Sequence, residues 1–118
     1  MNTPTISQCE ELFKEYHVPG TVRAHCHAVF KVACFLAEEL EKKKYPINIE
    51  IIKPFALLHD FMKVVVLERL TDPPYNYQPT TEEIKMHQQL RKQYPNMSET
   101  KVTNLLLKEK YPQFAQLF

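Results

Sequence analysis

The stretch VRAHCHAVFKVACFLAEEL, residues 22–40, decides the fold class of this chain. Its apolar positions, together with one histidine, recur at three- and four-residue steps: Val22, His25, Val29, Val32, Ala33, Leu36 and Leu40. That period is typical of an amphipathic α-helix, so we predict a helix from Thr21 to about Lys43 with one apolar stripe facing the core. The lysines at positions 42–44 fall where this helix should end. Cations there complement the helix dipole, which explains the run better than a phosphate-binding patch does.

Helical patterns also lie on both sides of the long helix. Ser7 and Glu10 have the spacing of a capping box, which predicts a short helix ending at about Tyr16. Asn48 can cap a third helix that carries the apolar segment before residue 59. Pro54 lies too far inside that helix to be neutral, so we expect either a kink or a late helix start there.

The second half of the chain is predicted to be helical as well. Residues 64–70 (VVVLERL) are expected to form a helix, because a lone strand would have nothing to pair with. Residues 71–79 are a proline-rich loop, and helices follow over about 80–94 and 99–110, with a last turn or two after residue 112. We therefore predict an all-α, single-domain bundle of about five to six helices spanning residues 1–118.

The amino-acid composition of the chain excludes several classes of function. The 118 residues are 44% hydrophobic and 25% charged, the balance of one soluble globular domain. The formal net charge of +1 favours neither nucleic acid nor an anionic membrane as a partner. No apolar stretch approaches the ~20 residues of a membrane-spanning helix, and the N-terminus lacks a signal-peptide pattern. Three cysteines without a CxxC spacing favour a reduced, cytoplasmic protein, and a single glycine excludes glycine-rich phosphate loops.

The stretch FALLHDFMK, residues 55–63, carries the candidate chemistry. Its His59–Asp60 pair interrupts an apolar run, where an isolated carboxylate is costly unless it is paired. His25 and His59 lie on the predicted buried stripes of two helices, and a helical bundle can bring two such residues together. Two imidazoles and a carboxylate suit a divalent transition metal. A hydrogen-bonded pair of His59 and Asp60 at the edge of the core explains the same residues.

Residues 20–63, in which His25 is followed 34 residues later by the His-Asp pair of ALLHD, resemble the HD domain superfamily. Members of that superfamily are all-α metal-dependent phosphohydrolases with a helix-borne His, a His-Asp pair and a distant Asp. The resemblance implies that His25, His59 and Asp60 bind a divalent metal ion (Mn, Mg, Fe, Ni or Zn). It also implies that Lys63 lies near the phosphate of a substrate.

The chain departs from the family pattern at several points. Phe61 and Met62 stand where members commonly carry Ile-Gly. The only other aspartate, Asp72, follows the pair by 12 residues in the proline-rich loop, so the distal ligand is missing, substituted or lost with a truncated C-terminus. The candidate substitutes are Glu82, Glu83, His87 and Glu99. Ser98 stands where some relatives carry a histidine, so a second metal ion is not expected.

Two hypotheses of different classes follow. In the first, the chain is a metal-dependent phosphohydrolase that acts on a nucleotide or another small phosphate ester. Asp60 would then act in catalysis by orienting water, and Lys63, Arg23 and His27 would offset the charge of the phosphate. In the second, it is a degenerate HD module without catalysis that binds a protein or, weakly, a metal ion. A fragment with further ligands beyond its end fits the same sequence. An incomplete set of helices could also leave an apolar face for a homo-oligomer.

Overall fold

The computed structural model describes residues 1–71 and 77–118, and all regular structure in these two ranges is helical. The elements are α1 (Ile6–Glu15), α2 (Gly20–Lys42), α3 (Ile49–Leu58), a 3-10 turn (Lys63–Val66), α4 (Thr81–Gln93), α5 (Glu99–Leu107) and α6 (Pro112–Ala115). The prediction of an all-α helical bundle is therefore confirmed. No helix within the described ranges is long and apolar enough to cross a bilayer.

Polar side chains at the helix starts explain where three of the helices begin. Thr80 Oγ1 accepts a hydrogen bond from Glu83 N at 3.2 Å, and Glu83 Oε1 accepts one from Thr80 N at 2.9 Å. These two bonds form the capping box that opens α4. Asn48 and Ser98 also accept backbone hydrogen bonds, at the starts of α3 and α5. The predicted N-termini of these helices are confirmed to within about one residue.

The capping box of α1 is formed by other residues than those predicted. Thr5 Oγ1 accepts a hydrogen bond from Gln8 N at 3.1 Å, and Gln8 Oε1 accepts one from Thr5 N at 2.9 Å. The prediction of Ser7 and Glu10 was wrong, because the same three-residue spacing occurs twice and the upstream pair forms the cap. The carboxylate of Glu10 is thereby free to contact another helix.

The core lies where α3 and the residues after it pack against the other helices. The large side chains that are almost completely buried include Phe13, Leu57, Leu58, Phe61, Met62, Leu90, Leu107 and Phe114. The helix α3 packs along α2 and also contacts α1. The residues on both sides of the His59–Asp60 pair are therefore fixed by burial.

The apolar stripe of α2 is only partly buried. The buried residues of this helix are Val22, Cys26 and Ala37. Val32, Leu36 and Leu40 are instead 59%, 54% and 41% exposed, so the prediction of one stripe facing the core was wrong. The side chain of Glu38 lies 4.0 Å from Lys53 of α3, so α3 runs beside this part of α2 but covers a different face of it. Part of the apolar surface of α2 is left uncovered.

Residues 64–70 do not form the predicted helix. A single 3-10 turn spans Lys63–Val66, and Leu67 is already extended, with φ −95° and ψ 130°. Three successive valines are restricted at χ1 and favour extended backbone, which opposes growth of the turn into a helix. Of the two alternatives predicted for Pro54, a kink or a late helix start, the late start was wrong, because α3 begins at Ile49 and Pro54 lies inside it.

The predicted loop of residues 71–79 is described only at its two ends. Asp72 lies outside the described residues, and residues 77–80 have no regular structure. Tyr77 packs over the start of α2, where a Cβ added at Gly20 would lie 2.9 Å from the Tyr77 hydroxyl oxygen. The single glycine of the chain therefore stands where Tyr77 closely approaches the helix backbone.

Candidate metal centre

Three of the predicted ligand side chains meet where α3 ends beside α2. His25 lies on α2, His59 follows the last residue of α3, and Asp60 is next in the chain. A hydrogen bond of 2.8 Å joins His25 Nε2 to Asp60 Oδ2, and His59 Nε2 lies 2.9 Å from the same oxygen. One ligand atom of each residue lies within 4.8 Å of the other two. Side chains placed in this way can share one cation.

The backbone fixes which nitrogen of His59 faces the centre. His59 Nδ1 lies 2.8 Å from the carbonyl oxygen of Ala56, and because a carbonyl only accepts hydrogen bonds, Nδ1 carries the proton. In a neutral ring Nε2 then has a free lone pair, and it faces a carboxylate oxygen that also only accepts. Two acceptors this close need either a proton between them, on the ring or on the carboxyl group, or a metal ion. Histidines that bind metals commonly donate their other N–H to a backbone carbonyl in this manner.

The centre is open to solvent on one side. The side chains of His25, His59 and Asp60 are 47%, 32% and 22% exposed. The prediction that His25 is buried was therefore wrong, since the face of α2 that carries it also carries the exposed Val32 and Leu36. A small ligand can reach the two imidazoles without any movement of the helices.

Glu99, the first residue of α5, brings a second carboxylate to the centre. Its Oε1 lies 3.5 Å from Lys63 Nζ, and its Oε2 is buried without a hydrogen-bond partner among the described residues. Burial raises the pKa of Glu99, the negative charge of Asp60 raises it further, and the Lys63 ammonium opposes the rise. The carboxylates of Glu99 and Asp60 are therefore close enough to repel each other.

Of the four candidate substitutes for the distal aspartate, Glu99 is the one that the structure brings beside Asp60. Glu82 is exposed on α4, and Glu83 is held in the capping box of that helix. His87 Nε2 contacts a backbone carbonyl oxygen at 2.7 Å, on the other side of α4 from solvent. The sequence alone did not indicate which of these four residues would lie beside Asp60.

We expect the Glu99→Gln variant to be more stable than the wild type when both are free of metal. A carboxyl group whose pKa is raised on folding adds stability below its unfolded pKa and loses that contribution as the pH rises. At neutral pH the charged Glu99 therefore opposes folding, and glutamine keeps the shape without the charge. Urea unfolding of chelator-treated protein at neutral pH measures the gain, which should shrink as the pH falls toward 4.5. A less stable variant at neutral pH would contradict this prediction, since the pair with Lys63 would then outweigh the repulsion.

The thiol of Cys26 borders the centre but is not activated. Burial raises its pKa to about 12, and the negative charge of Asp60 adds to this effect. Cys26 is fully buried, so at neutral pH it is a protonated thiol packed in the core. It is therefore not an activated nucleophile, and it does not belong to the group formed by His25, His59 and Asp60.

Two of the residues predicted to bind substrate lie away from the three ligands. His27 Nε2 lies 2.5 Å from Glu10 Oε1, and its ring packs edge-on against Phe13 with centroids 5.8 Å apart. Arg23 lines a separate hollow of about 340 Å³ between α1, α2 and the start of α4. Lys63 is the predicted substrate-binding residue that the structure does bring close, through its contact with Glu99.

Comparison with known proteins gives no assignment for this centre. No family model, curated protein or solved structure matches the chain. The membership in the HD domain superfamily stays a prediction, and the support for a function comes from the geometry of the centre.

Proposed function

We propose that this chain is a metal-dependent phosphohydrolase that binds a divalent ion through His25, His59 and Asp60 and acts on a nucleotide or another small phosphate ester. One observation carries the proposal: two helices bring three ligand atoms within 4.8 Å of one another. The proton on His59 Nδ1 supports it, because the other nitrogen of that ring is left with a lone pair toward the shared carboxylate.

The residues present also offer a fourth ligand. Within residues 1–71 and 77–118, the buried Oε2 of Glu99 has no hydrogen-bond partner, and the carboxylate lies close enough to Asp60 for their charges to interact. We assign Glu99 to the place where the family resemblance implies an aspartate. Glutamate is longer by one methylene, so its carboxylate can reach the centre from a different backbone position. Two imidazoles and two carboxylates suit Mn²⁺, Fe²⁺, Ni²⁺ or Zn²⁺ better than Mg²⁺, which prefers oxygen ligands and water.

Individual residues of the centre have separate roles in the proposed reaction. A bound divalent ion would supply polarisation of the phosphoryl oxygen and a more acidic water molecule. Asp60 is proposed to orient the attacking water, because its carboxylate is partly exposed beside both imidazoles. Lys63 Nζ, which is held near Glu99 and is partly exposed, can offset the negative charge of a phosphate. Contacts of Arg23 and His27 with substrate stay predictions.

Thermal unfolding of the metal-stripped protein with and without excess Mn²⁺ tests the metal site. A ligand at about 100 times its dissociation constant stabilises a protein by about 2.7 kcal/mol, which raises the midpoint of a domain this size by roughly 10 °C. His59→Ala should lose this shift. His17→Asn is the matched control, because it removes an exposed histidine that lies on none of the elements carrying the three ligands, and asparagine tolerates its left-handed backbone. A wild type that no divalent transition metal stabilises would overturn the proposal.

A non-catalytic module is the second candidate, and the uncovered face of α2 favours it. Val32 and Leu36 give this helix an exposed apolar surface of the kind that binds another protein. Hydrolysis of nucleoside monophosphates and of a chromogenic phosphate ester by the Mn²⁺-loaded protein separates the two candidates. Release of phosphate that His59→Ala abolishes would support the enzyme, whereas a metal-dependent shift without any release would support the module.

A further inference from the structure

A hollow of about 500 Å³ lies between α4 and the segment that follows the 3-10 turn. Its walls combine two guanidinium groups, from Arg69 and Arg91, with apolar side chains that include Leu70 and Ile84. Sites for small molecules commonly have volumes of about 300–1,000 Å³ and pair apolar walls with a few placed polar groups. None of the described lining residues belongs to the group of His25, His59 and Asp60. The hollow therefore has the size and the mixture of side chains of a separate ligand site.

One backbone carbonyl group holds two of the lining side chains in place. The oxygen of Leu67 accepts a hydrogen bond from His87 Nε2 at 2.7 Å and another from Arg91 Nη1 at 3.0 Å. A carbonyl oxygen has two lone pairs, so it can accept from both donors at once. Leu67 is extended after the 3-10 turn, which directs its carbonyl to side chains of another element instead of to its own helix. The imidazole and the guanidinium are therefore oriented before any ligand arrives.

The contact with Leu67 also fixes the tautomer of His87. Because a carbonyl group only accepts hydrogen bonds, Nε2 carries the proton, and in the neutral ring Nδ1 keeps a lone pair. His87 is 7% exposed and lines the inner wall of the hollow. Among the residues that the structure describes, Nδ1 makes no hydrogen bond. Because buried polar atoms are normally hydrogen-bonded, this nitrogen is a place for a hydroxyl group of a ligand to donate.

The two guanidinium groups give the hollow its charge. Arg91 uses one N–H group on the Leu67 carbonyl, which leaves the other N–H groups of its fork for a ligand. Within residues 1–71 and 77–118, neither Arg69 nor Arg91 forms an ion pair with a carboxylate. Glu68 supplies the one carboxylate along the described walls, so two positive charges stand against one negative charge when His87 is neutral. The hollow therefore favours an anion.

We infer that this hollow binds a small phosphate monoester whose phosphate group is held by Arg69 and Arg91. One guanidinium fork already satisfies both oxygens of a carboxylate, whereas a phosphate group has further oxygens and charge for a second fork. The apolar part of the ester packs on the wall that contains Ile84. This side chain is 41% exposed although it is apolar, and a ligand over it takes that surface out of water. No part of the inference depends on a bound metal ion.

Calorimetric titration of the full chain with phenyl phosphate, in the presence of a chelator, tests the inference. The chelator keeps metal ions from the candidate centre, so that binding through a metal does not contribute. The wild type should bind phenyl phosphate with a dissociation constant on the order of 0.1–1 mM. Inorganic phosphate should bind about tenfold more weakly because it lacks the apolar part. Benzoate should also bind about tenfold more weakly, because its carboxylate has fewer oxygens for the two guanidinium groups.

Two variants should change this affinity in opposite directions. Arg91→Gln should weaken binding of phenyl phosphate by at least about tenfold, because it removes a charged donor. Glu68→Gln should strengthen binding by roughly twofold to threefold, because the carboxylate on the described walls no longer repels the phosphate. Lys92→Gln is the matched control, since it removes a positive charge from the exposed side of α4 at a residue that does not line the hollow. All three residues are exposed, so the variants should keep the helical circular dichroism of the wild type.

Nuclear magnetic resonance locates the bound probe. Phenyl phosphate should shift the ring signals of His87 and the amide signals of residues 68–70, and it should leave those of His25 and His59 in place. Lack of saturable binding up to about 10 mM would overturn the inference. Wild-type affinity in Arg91→Gln, tighter binding of benzoate than of phenyl phosphate, or shifts centred on Lys63 would overturn it as well.

Discussion

The Asp60→Asn variant is expected to keep its fold and, under the proposed function, to lose both metal binding and phosphate release. The amide of asparagine keeps an oxygen that can accept a hydrogen bond from His25, but it removes the negative charge that lies 2.8 Å and 2.9 Å from the two imidazoles. Because loss of even an indirect partner lowers metal affinity 10- to 100-fold, loss of this charge should lower Mn²⁺ affinity by at least about 100-fold. In the proposed mechanism turnover should fall by on the order of 10³-fold, since the variant would lose both the ion and the group proposed to orient water.

Calorimetric titration with Mn²⁺ and the rate of phosphate release at saturating substrate measure the two effects. Glu82→Gln is the matched control, because it makes the same carboxylate-to-amide change at an exposed position on α4. That variant should bind Mn²⁺ and release phosphate as the wild type does. An Asp60→Asn protein that binds Mn²⁺ within threefold of the wild type would contradict the assignment of Asp60 as a ligand.

The helices that the sequence predicts well are those with a polar cap and a regular apolar period. Thr80 and Ser98 each accept a backbone hydrogen bond from the first turn of the helix that follows, and these local bonds mark where α4 and α5 begin. Residues 64–70 lack both signals. Their three valines permit a turn or an extended segment, and packing against neighbouring elements decides between the two.

The partly exposed stripe of α2 shows a different limit of sequence analysis. Periodicity identifies the face of a helix that is apolar, but it does not identify what covers that face. Val22 and Leu36 belong to the same predicted stripe, yet the first is buried and the second is 54% exposed. The difference depends on which face of α2 the other elements cover, which is a property of the assembled fold.

The residues of the candidate centre could likewise be predicted only in part from the sequence. His25, His59 and Asp60 could be predicted together, because each lies at a definite position on a helix or directly after one. Glu99 could not be chosen, because its place depends on how α5 packs beside the turn that carries Lys63. Ser98, the capping residue before Glu99, predicts where α5 starts, but it does not predict the direction from which α5 approaches the centre.

The Phe61→Ala variant is expected to lose about 3–5 kcal/mol of unfolding free energy, which lowers the unfolding midpoint by on the order of 15 °C. Phe61 is completely buried, and its ring centroid lies 6.3 Å from that of Phe13 and 6.2 Å from that of Tyr16. The ring therefore joins α1 to the segment after α3, and removing it leaves a cavity between them. Met62 is completely buried too, so packing accounts for both of the apolar residues that follow Asp60.

Urea and thermal unfolding of metal-free protein measure this loss. The conservative control is Phe61→Leu, which keeps most of the apolar volume and should cost less than about 1.5 kcal/mol. Because Asp60 precedes Phe61 directly, the alanine variant should also show a weaker Mn²⁺-dependent shift, even at temperatures where it is still folded. A loss below about 1 kcal/mol in Phe61→Ala would show that the surrounding side chains close the cavity, and it would contradict a rigid core beside the candidate ligands.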